Sequence, residues 1–414
     1  MRIIPRGFAV LVSLCAIAGA QAQDSLNLRT VGAMALDGPN NLSVYRRHLF
    51  AGQLHTGWRV IDVTNPQSPA EDTLLLHGRR PTGSDFAGDY AYVADWLDAV
   101  YTVDLSDPCH PAQVAFTPDL DAETVDVSGD YAYVAAGNTG LVVVNIAAPQ
   151  NPVIVDSLNL ADYALMGIVV GNYVYLLNGM TTLITVDVTS PSQPVIMDSC
   201  TVHGYHHRMV AAHGYLYVAA DTAGVAMISL TDPAHPALTG YYRTPHIAYD
   251  VAAWGDFLAV ADDSAALLLN LESPAAPVEV GYYRQRTYDS PSVCMDSSFL
   301  YLAKGGVLRV MDYSAAQDVP KGPLSGPREF VLHPAYPNPF NSSTTVSFEL
   351  PVTREVCLDV FDIMGRRVMT LAYGVYAAGV HTQTLDGSKI ASGIYIIRLH
   401  TGMSASSQKI VLLK

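Results

Sequence analysis

The sequence predicts an all-β chain, and three observations lead to that class. An aromatic–apolar cluster recurs with one period, a pair of prolines recurs in step with it, and none of the 414 residues lies in a segment with a long helical period. The clusters begin at Tyr90, Tyr131, Tyr173, Tyr215, Phe257 and Phe299, in steps of 41, 42, 42, 42 and 42 residues. A weaker copy begins at Arg47 and makes seven. The proline pairs are Pro66/Pro69, Pro108/Pro111, Pro149/Pro152, Pro191/Pro194, Pro233/Pro236 and Pro274/Pro277.

Each period holds four strand-like runs. In the sixth they cover 249–254, 257–261, 266–271 and 277–283, with breaks at Gly255-Asp256, 262–264 and 272–274. β-branched and aromatic residues fill the runs; Gly, Asp and Pro punctuate them. Four strands in roughly 40–45 residues is the signature of a β-propeller blade. The expectation is a seven-bladed β-propeller of four-stranded blades. The seventh unit shows only three runs, near 292–295, 299–303 and 307–312. Residues 26–36 resemble an outermost strand such as 236–242, with glycine at a matching place. They are expected to pair with 307–312, because an unpaired third strand would expose a row of backbone donors and acceptors. The N-terminal strand then closes the propeller.

An apolar strand precedes each proline pair, as in Trp58 to Val63, Val100 to Leu105 and Leu141 to Ile146. With the Tyr-Ala-Tyr-Val-Ala clusters, these units resemble the LVIVD-repeat family over residues 40–315. Asn145, Ser229 and Asn270 depart from it where the family's strand aspartate stands. The resemblance implies the fold and no particular activity, since one propeller scaffold hosts many.

A different pattern begins at Tyr336-Pro337-Asn338-Pro339-Phe340. Alternating strands follow at 344–350, 356–361 and 367–371, with a turn at 362–366. Ser392-Gly393-Ile394-Tyr395-Ile396-Ile397-Arg398-Leu399 and a lysine-bearing last strand at 408–414 complete it. Short alternating strands suggest an Ig-like β-sandwich. The segment is similar to the C-terminal sorting domain of the bacterial type IX secretion system. That resemblance implies the secretion machinery as a partner, with release or attachment at the outer cell surface.

Residues 1–22 read as a signal peptide: Arg2 and Arg6, an apolar run from Gly7 to Ala20, and Ala20-Gln21-Ala22 as the cleavage site. The expected domains are residues 1–22, signal; 23–313, propeller; 314–334, a Pro/Gly linker; and 335–414, the sandwich. No later run is apolar and long enough to cross a bilayer. The mature chain has 21 basic and 38 acidic side chains, a net −17. Residues 23–327 carry −19 of it, which argues against nucleic acid and anionic lipid as partners. A monomer is expected.

Cys109, Cys200, Cys294 and Cys357 lack CxxC spacing, so no zinc site is indicated; disulfides are permitted, with three full pairings open. No cofactor is expected. The candidate site is the propeller face where loops entering the inner strands meet loops between second and third strands. It holds Arg80, Asp121, Tyr205, His206, His207, Arg208, His246, Tyr249 and Asp250, with Asp95, Trp96 and Asp262 from the second loop set; Tyr288-Asp289 belongs with the first. His203, His206 and His207 are good ligand types for a metal, but no metal-binding spacing accompanies them, and an exposed polar loop is the plainer reading. No nucleophile motif occurs. The leading function is a non-enzymatic surface binding module, its partner an extracellular protein or glycan. The alternative is a secreted polysaccharide hydrolase or lyase, because paired carboxylates suit that chemistry.

Overall fold

The computed structural model describes residues 25–36, 38–39, 41–54, 56–96, 98–285, 290–317, 331–350, 354–376, 379–401 and 404–413. The signal peptide, Tyr288-Asp289 and most of the linker lie outside these residues.

Seven antiparallel sheets occupy residues 25–312. Sheets one to six are contiguous in sequence, at 41–75, 81–118, 124–158, 164–201, 209–242 and 248–284. Each runs up and down in chain order. The first strand of each sheet lies against the first strand of the next, and Ser292–Met295 of sheet seven lies against Asn41–Tyr45 of sheet one. Burial explains the sequence pattern. The second and third strands are covered on both faces, so Tyr90–Asp95 and Ala99–Asp104 read as near-continuous apolar runs. The fourth strands face solvent, as at Val153–Leu158. The core lies between sheets: Phe50 and Trp58 of sheet one pack on Val93 and Tyr101 of sheet two.

The two repeat markers touch each other. The Tyr175 hydroxyl donates to the Pro233 carbonyl at 2.7 Å, and Tyr217 to Pro274 at 3.0 Å. Each bond ties a buried second-strand tyrosine to the proline turn of the next sheet. That contact keeps tyrosine and proline in one phase.

Sheet seven takes strands from both ends of the chain. Arg29–Ala35 pairs antiparallel with Val307–Asp312, from Arg29 opposite Asp312 to Ala35 opposite Val307. A register shift falls between Thr30 and Gly32. The third–fourth pairings of the other six sheets carry a like shift, for example at Val143/Val144 and Thr185/Val186. The N-terminal strand therefore has the geometry of an ordinary fourth strand, including the bulge that sharpens its twist.

One detail departs from expectation. Residue 26 does not join sheet seven. Ser25–Leu26 pairs with Tyr282 and Tyr283 on the outer edge of sheet six. Asn27, at φ 55°, turns the chain between the sheets, and its side-chain amide donates to the Val280 carbonyl at 2.6 Å. Asparagine tolerates this left-handed conformation better than most residues. Leu28 is buried among Phe257, Leu300 and Tyr313. The terminus thus fastens two sheets.

In the tail, Val331–Leu332, Ser343–Leu350 and Gly379–Asp386 form one sheet; Arg367–Tyr376, Arg354–Asp362, Gly393–Thr401 and Ser404–Leu412 form another. One apolar cluster draws on both, with Val346 and Phe348 beside Leu358, Ile397 and Ile410. Asn338 of the Tyr-Pro-Asn-Pro-Phe motif donates to the Lys409 carbonyl at 3.0 Å and accepts from the Val411 amide at 2.9 Å. The expected linker is shorter than 314–334 at both ends: Ser314–Gln317 is a helical turn, and Val331–Leu332 already pairs with the tail's first long strand. Gly379–Asp386 is a full strand where only a lead-in was expected, because polar His381 and Gln383 on its half-buried face hide the alternation.

Mature chain lacking residues 23–36 is expected to melt earlier and to aggregate, since the Val307–Asp312 edge and the Leu28 socket both open. Gly32→Ala is a milder probe. Its Cβ would lie 2.0 Å from the Pro66 carbonyl oxygen, a backbone atom of sheet one. The expected loss is about 1–3 kcal/mol in denaturant unfolding; no loss would mean that the strand does not run through this seam.

Candidate functional site

A pocket of about 470 Å³ opens on the face where the expected loop sets meet. Its wall draws on the entry segments of all seven sheets and includes Thr82, Glu123, Thr124, Leu165, Tyr205, His206, His207, Arg208, Tyr249 and Asp250. Arg208 enters it from the start of sheet five and donates to the Thr82 carbonyl of sheet two at 2.8 Å. The bond joins residues 126 positions apart.

The histidine loop is held by several different partners. The buried His206 ring contacts the Val202 carbonyl through Nε2 at 2.9 Å. His207 Nε2 lies 3.7 Å from Asp221, and its ring sits 5.2 Å from Tyr205 and 4.9 Å from Tyr249. Burial pushes both histidines toward the neutral form, with Asp221 partly opposing it at His207. Exposed His203 is tied through its backbone N–H to the Tyr241 hydroxyl at 2.8 Å. His246 turns to Asp263 at 3.5 Å and is outside the pocket wall. These partners draw the histidines apart, so the loop does not assemble into a ligand set among the described residues.

Asp250 is in the wall, but its carboxylate is engaged. Oδ2 accepts from the Ser292 hydroxyl at 2.7 Å and the Val293 amide at 2.9 Å, and Oδ1 accepts from the Val251 amide at 2.9 Å. Burial holds its pKa above the ordinary carboxyl value, and Arg208 pulls it partly back. Asp262 and Asp95 need correction as pocket residues. Both are fully buried at the ends of second strands. Asp262 Oδ1 accepts from the Ser264 and Ala265 amides, shaping its own turn; Asp95 accepts from the Arg80 amide at 3.1 Å. An aspartate beside a turn is more useful to the turn than to a ligand.

A second group adjoins the pocket. The Arg80 guanidinium lies 5.2 Å over the half-exposed Trp96 ring. Trp96 Nε1 donates to the Tyr163 hydroxyl at 3.4 Å, and that hydroxyl donates to Glu123 and lies 3.3 Å from the Asp121 carboxylate. Burial raises Glu123, and the Tyr163 bond opposes it. Glu123, Tyr163 and Thr82 were not anticipated.

Below the pocket, inner-strand carboxylates tie sheet to sheet. Asp85 accepts from the Val127 amide at 2.7 Å, Asp126 from Val169 at 2.6 Å, and Asp250 from Val293 as above. Asp85 and Asp126 are also close enough for each carboxyl to act on the other. Two carboxylates in contact cannot both ionise cheaply.

Against known proteins, residues 86–115, 121–159, 167–202 and 204–244 match the LVIVD repeat, and residues 334–413 match the secretion system C-terminal sorting domain. The chain carries LVIVD repeats and ends in a sorting domain. This LVIVD-repeat protein is similar in structure to the β-propeller domain of Cps50 (Swd1) from Myceliophteria thermophila. The TM-score is 0.55 at 12% identity, over 67% of this chain and 98% of that one. It is also similar to the computationally designed Ika8 protein, with a TM-score of 0.50 at 10% identity over 69% and 99%. At such identities the likeness shows the fold alone, a β-propeller. None of the curated proteins matches the LVIVD-repeat chain in sequence. The sorting domain marks it for secretion and attachment at the cell surface.

Burial and the Asp85 charge hold the Asp126 carboxyl well above 3.8. The folded state therefore keeps a proton that the unfolded chain releases. This favours folding below the unfolded value, and the benefit is lost as pH rises through the folded value. Asp126→Asn keeps an oxygen for the Val169 amide and removes the repulsion. It is expected to raise Tm near about pH 7 by roughly 2 °C or more, and to do nothing near about pH 3. Melting curves at the two pH values check it; an equal gain at both would contradict the charge argument.

Proposed function

We propose that the protein is a surface-displayed, non-enzymatic binding module. It is a seven-bladed propeller with a C-terminal Ig-like sandwich, exported through that sandwich and engaging an extracellular ligand at the pocket around Arg208. The observation that carries this reading is the pocket itself. Arg208 is set among Tyr205, His207 and Tyr249 on a face open to solvent, beside the Arg80–Trp96 pair. Aromatic faces with a guanidinium at their centre suit a glycan, which offers apolar ring faces for stacking and hydroxyls or carboxylates for the cation. The seven sheets, with inner strands in successive contact, support the blade number. Binding is favoured over hydrolysis because three donors already occupy the Asp250 carboxylate, and the neighbouring Glu123 and Asp121 carboxylates are both engaged with the Tyr163 hydroxyl.

Two measurements test the reading. On glycan and protein arrays, the mature chain is expected to retain a ligand that Arg208→Ala and Tyr205→Ala each weaken at least about tenfold, or 1.4 kcal/mol. Equal binding by all three proteins would move the site elsewhere, and turnover of the captured glycan would restore the hydrolase reading. Deleting residues 336–414 in a type IX-competent host is expected to leave folded propeller in the periplasm. Normal surface display of that truncation would refute the sorting role.

A further inference from the structure

The linear spacing of the cysteines suggested no metal site, but folding brings one of them to a histidine and an aspartate from another repeat. His48 begins the second strand of sheet one, Asp72 lies on its fourth strand, and Cys109 sits in the Pro108–Pro111 turn of sheet two. His48 is buried. Its Nδ1 is 3.1 Å from the Arg46 carbonyl, so Nδ1 carries a proton and Nε2 is the nitrogen turned toward the other two residues. Nε2 points between the Asp72 carboxylate at 3.5 Å and the Cys109 sulfur at 3.8 Å. One ligand atom from each residue lies within 4.8 Å of the other two.

We propose that His48, Asp72 and Cys109 form a divalent metal site for zinc at the seam between the first two sheets. The distances fit the ion. Zinc bonds of about 2.3 Å to sulfur and about 2.0–2.2 Å to nitrogen and oxygen, in tetrahedral array, separate nitrogen from sulfur by about 3.6 Å and nitrogen from oxygen by about 3.4 Å. The observed separations are within a few tenths of an ångström of these. A backbone carbonyl on the far ring nitrogen is the usual device that orients a ligating imidazole. The Cys109 turn is itself fixed, since its amide donates to Asp107 at 3.1 Å. Cys109 is exposed, so the fourth position faces solvent and an ion can enter. Zinc displaces the thiol proton to solvent and leaves a thiolate, a carboxylate and a neutral imidazole around a doubly charged ion, a neutral set.

The surroundings distinguish this from a nucleophilic thiol. Asp72, Asp107 and Asp62 surround the Cys109 sulfur with negative charge. An activated cysteine needs positive neighbours instead. The tail holds a second group of similar composition, Cys357, Asp359 and His400, but Arg367 lies 3.7 Å from its carboxylate and already pairs with it. It serves as the internal control.

The test uses the mature full-length chain, reduced and metal-free, titrated with zinc by calorimetry and with cobalt by absorption. One equivalent of zinc should bind, and cobalt should show a thiolate charge-transfer band. Cys109→Ser, at an exposed position that does not threaten folding, should abolish the band and weaken zinc at least about tenfold. Cys357→Ser should change neither. Saturating zinc should also protect Cys109 from a thiol reagent, located by peptide mapping. No stoichiometric zinc, a band that survives Cys109→Ser, or a band lost with Cys357→Ser would each overturn the proposal.

Discussion

The pairing of Arg29–Ala35 with Val307–Asp312 is the constraint on which the rest depends. Apart from the Ser25–Leu26 edge on sheet six, sheets one to six are each made from one stretch of chain. Sheet seven is not, and without its N-terminal strand the third strand would end in open backbone groups. Each ladder bond contributes about 0.5–1.5 kcal/mol net, and burying Leu28 adds about 2 kcal/mol. Those sums hold together segments nearly 280 residues apart. Gly32 against Pro66 then places the same strand on sheet one, so one segment touches sheets six, seven and one.

The pocket inherits this constraint. Its residues come from the entry segments of all seven sheets, and no single sheet holds it alone. The Arg208–Thr82 bond, the Asp250 bonds to Ser292 and Val293, and the Asp85–Asp126 contact all run between sheets. A shift of one sheet against another would move Arg208 relative to Tyr249 before it disturbed any sheet internally. The metal-ligand group follows the same rule, since Cys109 reaches His48 only because sheets one and two are fixed side by side.

Much of the fold was legible because it repeats. A buried tyrosine and the proline carbonyl it bonds must stay in phase, and that phase is visible in the letters. The outermost-strand character of the N-terminal segment was legible through the matching glycine, Gly32. The turn at Asn27 was not, since a left-handed asparagine leaves no periodic trace. In the site, Tyr205, His207 and Arg208 stood out because the His203–Arg208 loop departs locally from the repeat, and Tyr249 because it enters an inner strand on the same face. Glu123 and Thr82 did not, as they sit where polar residues belong at the start of an inner strand. Asp95 and Asp262 looked exposed because aspartate usually is; their carboxylates are turned onto nearby backbone amides. His48, Asp72 and Cys109 are scattered along the chain, and only the contact between repeats unites them.

Hydrogen–deuterium exchange on the mature protein tests the central claim most directly. The amides of Val307–Asp312 should be protected as strongly as those of the third strands in other sheets, such as Gly140–Asn145, and the protection should fall when residues 23–36 are removed. Fast exchange at Val307–Asp312 in the intact chain would show that the N-terminal strand does not hold this edge, and would contradict the account.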